Sequence, residues 1–160
     1  MNNTQKAFLE LAKAGLWETE GRLSSYGEFD FSTILRIATE QGVVGLVAAG
    51  LEPVSDVIVP QKVVLQFVGQ TLQIEQRNKA MNQFVAELVE KMHSDDINSI
   101  LIKGQGVAQC YEKPLWRHSG DVDFLLSNAN YDKAVNLFKS LYPRMVASIQ
   151  RNLPFIQTNG

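Results

Sequence analysis

Two aspartates, Asp121 and Asp123, stand two residues apart in an otherwise apolar run, Gly120-Asp121-Val122-Asp123-Phe124-Leu125-Leu126. The run alternates with a period of two, Val122, Phe124 and Leu126 against Asp121, Asp123 and Leu125, which predicts a strand. Side chains two apart on a strand share a face, with their Cα atoms ~6.5 Å apart. Two carboxylates held that close repel unless a cation or a basic group lies between them. Magnesium is the natural partner, because it takes carboxylates together with phosphate oxygens, and manganese accepts the same hard oxygen ligands. Upstream, Leu101-Ile102-Lys103-Gly104 reads as the end of a second apolar strand followed by a glycine.

The elements that would position these groups change character along the chain. Residues 1–95 read as a helical region. Phe8, Leu11, Ala12 and Leu16 recur at helical spacing, with Gly15 or Gly21 as a stop. Asp30 or Ser32 caps a second helix carrying Ile34, Leu35, Ile37 and Ala38, and Gly42 follows it. Val43 to Leu51 predicts a buried helix stopped by Gly50 and Pro53. Pro60 opens a long helix whose stripe is Met81, Phe84, Val85, Leu88, Val89 and Met92, and whose polar middle, Gln73 to Lys79, reads as solvated or groove-lining. Residues 96–160 then read strand (Ile100 to Ile102), short helix (Gly104 to Tyr111), the Asp-x-Asp strand, a helix bearing Tyr131, Ala134, Val135, Phe138 and Leu141, and a third strand at Met145 to Ile149. The fold class is α+β, a small mixed sheet with flanking helices preceded by an all-helical N-terminal region.

This ordered set resembles the polymerase-beta-like nucleotidyltransferase superfamily, and more closely its bacterial branch of uncharacterised nucleotidyltransferases. The branch reads Leu-Lys-Gly, then Tyr-x-x-Pro, then Arg-x-x-Gly-Asp-hydrophobic-Asp. Those positions here are Ile102-Lys103-Gly104, Tyr111-Glu112-Lys113-Pro114 and Arg117-His118-Ser119-Gly120-Asp121-Val122-Asp123. The resemblance implies transfer of a nucleoside monophosphate from a nucleoside triphosphate to a hydroxyl of an unknown acceptor, a small molecule or a protein. It implies Asp121 and Asp123 as catalytic and metal-holding residues, and Lys103, Gly104, Arg117 and Gly120 around the triphosphate. The chemistry suits these types. A glycine opening a helix lets a phosphate approach free backbone N–H groups. Lys103 and Arg117 supply positive charge, Arg117 with the better fork for phosphate oxygens.

Every one of these residues also has a plain structural role. Lys103 serves as a surface charge, Arg117 as a partner for an aspartate, Gly104 as a turn residue, and His118 in loop or hydrogen-bonding duty. Cys110 reads as a buried apolar residue, His93 as a helix C-terminal residue on the dipole, and Trp116 as filling space beside Pro114. With a formal net charge of −2 and a pI near 5.7, the chain has no general attraction to nucleic-acid backbones or acidic membranes. The single cysteine excludes an internal disulfide framework. No secretory leader or ~20-residue apolar span is present, so the expected address is the cytoplasm.

Two departures from the superfamily pattern bear on activity. Gln105 stands where a small phosphate-contacting residue commonly follows the glycine. A third acidic residue, usual on a later strand, is missing: beyond Asp123 the sequence carries only Asp132, read as serving the N-terminus of its own helix. The expectation is therefore a fragment whose third carboxylate lies beyond Gly160, and a 160-residue chain that binds nucleotide weakly and turns over little. The alternative is a catalytically inactive nucleotide-binding or interaction module of the same fold, a sensor or antitoxin-like partner.

Overall fold

Helix formation dominates because capped, amphipathic segments follow one another with short connections. The computed structural model describes residues 1–143. In order these form α1 (Asn3–Trp17), α2 (Phe31–Glu40), α3 (Val44–Leu51), α4 (Gln61–Ser94), β1 (Ser99–Ile102), α5 (Gly104–Ala108), β2 (Asp123–Leu126) and α6 (Asn128–Leu141). β1 and β2 pair in a two-stranded sheet, so the fold is α+β, mostly helical with a small sheet. The third strand read at Met145 to Ile149 lies outside the described residues.

The chain divides into two compact units. One comprises Met1–Phe84 and Ile102–Asp123; the other comprises Val85–Leu101 and the described residues from Phe124 onward. The first unit is built on one apolar cluster that includes Leu11, Leu23, Ile34, Val47 and Phe67, all fully or almost fully buried. In the second, Val85, Leu88, Met92, Ile97 and Ala134 are buried.

Local signals explain the helix starts. Asn2 and Gln5 form a reciprocal capping box on α1. Asp30 caps α2, its carboxylate accepting from the N–H groups of Ser32 (3.0 Å) and Thr33 (2.9 Å). The carbonyl of Pro60 accepts from Val63 and Val64 to begin α4.

Gly15 does not stop α1, which runs to Trp17 and ends at Glu18 in the left-handed conformation (φ 55°). A Cβ at Gly15 would lie 2.0 Å from the Leu46 carbonyl oxygen of α3, and one at Gly50 would lie 2.0 Å from that of Leu11. These glycines let two helix backbones touch; their function is contact, not termination. The middle of α4 also departs from expectation. Within Gln73 to Lys79, Ile74 and Asn78 are buried.

Candidate functional site

Lys103, Gly104, Arg117, Gly120, Asp121 and Asp123 all fall within the first unit. β1 ends at Ile102, and the backbone turns through two successive positive-φ residues, Lys103 (φ 53°, ψ −161°) and Gly104 (φ 41°), directly into α5. For glycine such a conformation is ordinary. For lysine it is strained by about 1–3 kcal/mol, and strain of this kind clusters at functional sites.

Gly104 is buried and has no room for a side chain. A Cβ there would lie 2.9 Å from the Asp121 carbonyl oxygen and 3.1 Å from Ser119 Oγ. The helix-opening glycine therefore touches the start of the Asp-x-Asp segment. Arg117 closes the same arrangement, its Nη1 donating to the Gly104 carbonyl at 3.1 Å. Lys103 Nζ stands 3.8 Å from Asp123 Oδ2, so the basic group that one of the two carboxylates requires comes from the neighbouring strand end.

The strand holding the aspartates is shorter than its alternation suggests. β2 begins at Asp123, and Asp121 precedes it outside the strand, whose pairing partner β1 is itself only four residues long. Asp121 and Gly120 are exposed. Nothing lies within 4 Å of a Cβ built on Gly120, so neither crowding nor a positive φ demands glycine there.

The sequence reading missed Asn78, Ser119 and Glu75. Asn78, 2% exposed on α4, donates from Nδ2 to the carbonyls of Leu115 and Arg117, each at 2.7 Å. Its Oδ1 accepts from Gln105 Nε2 at 3.0 Å. Gln105, the departure from a small residue, is thus turned inward and buried, and it ties α5 to α4. Ser119 Oγ is buried with no hydrogen-bond partner, beside Gly104. Glu75 accepts from Trp116 Nε1 at 3.2 Å and pairs with Lys79 at 2.6 Å. The hydrogen bond from Lys79, and after it that from Trp116, holds the Glu75 carboxyl below its ordinary range. The available signal for Asn78 was a polar residue at a core register, in line with Ile74 and Val85 on α4.

Other readings are corrected. Cys110 is exposed, because α5 ends at Ala108 and the chain turns away there. Asp132 is not in the first turn of its helix: α6 starts at Asn128 and that turn carries no acidic residue. Trp116 does fill space, packing against the apolar cluster with Lys113 Nζ 4.1 Å from its ring centroid. His93 lies in the last turn of α4. Among the described residues, no three or more His, Cys, Asp or Glu side chains gather as a metal-holding group. Within the same residues, no helix is long and apolar enough to cross a membrane.

Gly104 opens α5 against the start of the Asp-x-Asp segment. The profile of the family described as Uncharacterised nucleotidyltransferase matches residues 27–141, and the chain belongs to that family. No curated protein and no solved structure matches it.

Proposed function

We propose that this domain transfers a nucleoside monophosphate from a nucleoside triphosphate to a hydroxyl acceptor, with the triphosphate seated over Gly104 and Gly120. The observation that carries the reading is the contact between Gly104 and the Ser119–Asp121 segment, which sets a helix-opening glycine against two carboxylates in the order the family motif has them. The donor set fits a divalent cation of the magnesium or manganese type. Asp121 and Asp123 supply two hard oxygens, the number such an ion takes when phosphate oxygens complete its shell. Ser119 Oγ, enclosed and unpaired, is the kind of orphaned hydroxyl that an oxygen-rich ligand satisfies.

When bound, such a cation neutralises charge on the triphosphate and on the oxygens that attack and leave. This chain's own residues do the rest. Lys103 and Arg117 bring positive charge to the phosphates, and Arg117, held on the Gly104 carbonyl, keeps donors free for them. The acceptor oxygen bonds to the α-phosphorus as the bond to the pyrophosphate oxygen breaks, and the hydroxyl proton leaves to water.

The test is calorimetry with magnesium and a non-hydrolysable nucleoside triphosphate. Binding should be measurable in the wild type and lost in Asp121→Asn with Asp123→Asn; unchanged binding in that double variant would falsify the reading. A second reading, a nucleotide-binding module without turnover, draws on the finding that among the described residues no third carboxylate joins Asp121 and Asp123. Transfer of a labelled α-phosphate to acceptors in a cell extract separates the two. Binding without labelling, by this chain and by any longer form, selects the second.

A further inference from the structure

A cleft of about 350 Å3, within the size range of small-molecule sites, is lined by residues of α1, α3 and the segment from Tyr111 to His118. Its apolar lining includes Leu16, Leu46 and Ala49, and its polar lining includes Gln41, Glu112, Lys113, Arg117 and His118. None of the ion pairs among the described residues involves Arg117 or His118. The guanidinium spends one donor on the Gly104 carbonyl and stands 6.0 Å from the Tyr111 ring centroid, which leaves it further donors and no carboxylate partner among the described residues. Lys113 is different, since it is paired with Glu52. The acidic lining residue, Glu112, is exposed, where water screens it.

The aromatic residues of this lining are already engaged. Lys113 sits over the Trp116 ring, Arg117 lies over that of Tyr111, and the Trp116 indole N–H is committed to Glu75. Neither ring offers the pair of open faces between which a nucleobase stacks. What the cleft does offer is an apolar wall and an anion-seeking end that includes the same guanidinium that holds Gly104.

We propose that this cleft binds the acceptor of the transfer, a small hydroxyl-bearing molecule with a phosphate or carboxylate group that Arg117 and His118 receive. This rests on the nucleotidyl-transfer reading above. Arg117 then serves both substrates: its Nη1 is fixed at the glycine of the triphosphate cradle while its side chain lines the acceptor cleft. The backbone of this wall is rigidly set, because Asn78 holds the carbonyls of Leu115 and Arg117.

The test uses glycerol phosphate as probe and Trp116 fluorescence as readout, in a Trp17→Phe background that leaves Trp116 as the sole tryptophan. Glycerol phosphate should give a saturable change and glycerol none. Ala49→Phe, which fills the cleft, and His118→Glu, which sets a carboxylate on an exposed position of its lining, should each weaken the probe at least tenfold. Magnesium–triphosphate binding by calorimetry should stay within about twofold in both. An equal response to glycerol, or an undiminished response in His118→Glu, overturns the acceptor site. Loss of triphosphate binding in both variants makes the cleft the nucleotide's own and overturns it too. Failure of the nucleotidyl-transfer reading looks different: there, Asp121→Asn with Asp123→Asn leaves triphosphate binding untouched.

Discussion

Gln105 and Asn78 form a buried hydrogen bond, Nε2 to Oδ1 at 3.0 Å, that fastens the first turn of α5 to the middle of α4. From the other end of its amide, Asn78 holds two carbonyls of the Leu115–Arg117 stretch. One amide thus positions Gly104's helix and Arg117's backbone together, with both its nitrogen and its oxygen engaged. Buried polar groups satisfied in this way specify a single arrangement, and removing one partner strands the others.

Asn78→Leu should therefore destabilise the protein by at least about 2 kcal/mol, since two carbonyls and one amide lose their partners in the interior. Urea unfolding followed by far-ultraviolet circular dichroism measures it. A loss below about 0.5 kcal/mol would mean that water reaches these groups and that the clamp does not position the site.

Gly104→Ala meets both a positive φ and an oxygen 2.9 Å away, and should cost about 1–3 kcal/mol. Gly120→Ala meets open space and should leave the thermal midpoint nearly unchanged. If phosphates approach Gly120 as proposed, the same Gly120→Ala chain should bind magnesium–triphosphate several-fold more weakly. Full affinity in that variant removes Gly120 from the cradle.

Lys103→Gly should separate stability from function. Glycine relieves the backbone strain at φ 53° and ψ −161°, so the fold should gain about 1 kcal/mol. Losing the ammonium beside Asp123 should weaken triphosphate binding. Parallel denaturation and calorimetry decide it, and a variant that gains stability with no loss of affinity assigns Lys103 a structural role alone.

The Glu75 carboxyl is held below its ordinary range by Lys79 and then Trp116. A depressed folded-state pKa adds stability that is present above the unfolded value of about 4.3 and lost as pH falls through the lower folded one. The Trp116 indole N–H resonance should therefore shift only in acid below that value, and Glu75→Gln, which keeps an acceptor but no charge, should flatten the shift. A resonance that moves only above that value would mean that a group other than Glu75 sets it.

Much of the molecule was legible in the order of residue types. Helix caps, turn glycines and period-two alternation are local signals, so α2, α3, the start of α4, the two strands and the glycine between them follow from short stretches of sequence. So does the family, because its motif is a linear spacing. The role of Gly15 could not be read, since helix stop and helix contact use the same residue and only the nearness of Leu46 tells them apart.

The sequence alone determined the elements and the proximity of Asp121 to Asp123, which adjacency in the chain enforces. Tertiary structure decided which distant groups meet them. Asn78 looked solvated because its neighbours are polar, and it is buried because the register of α4 turns it inward with Ile74. Gln105 looked like a defect in a phosphate loop and is a tether. Ser119 became notable only when Gly104 was brought against it. These contacts span residues far apart in sequence, and their energy comes from desolvated hydrogen bonds that no local pattern encodes.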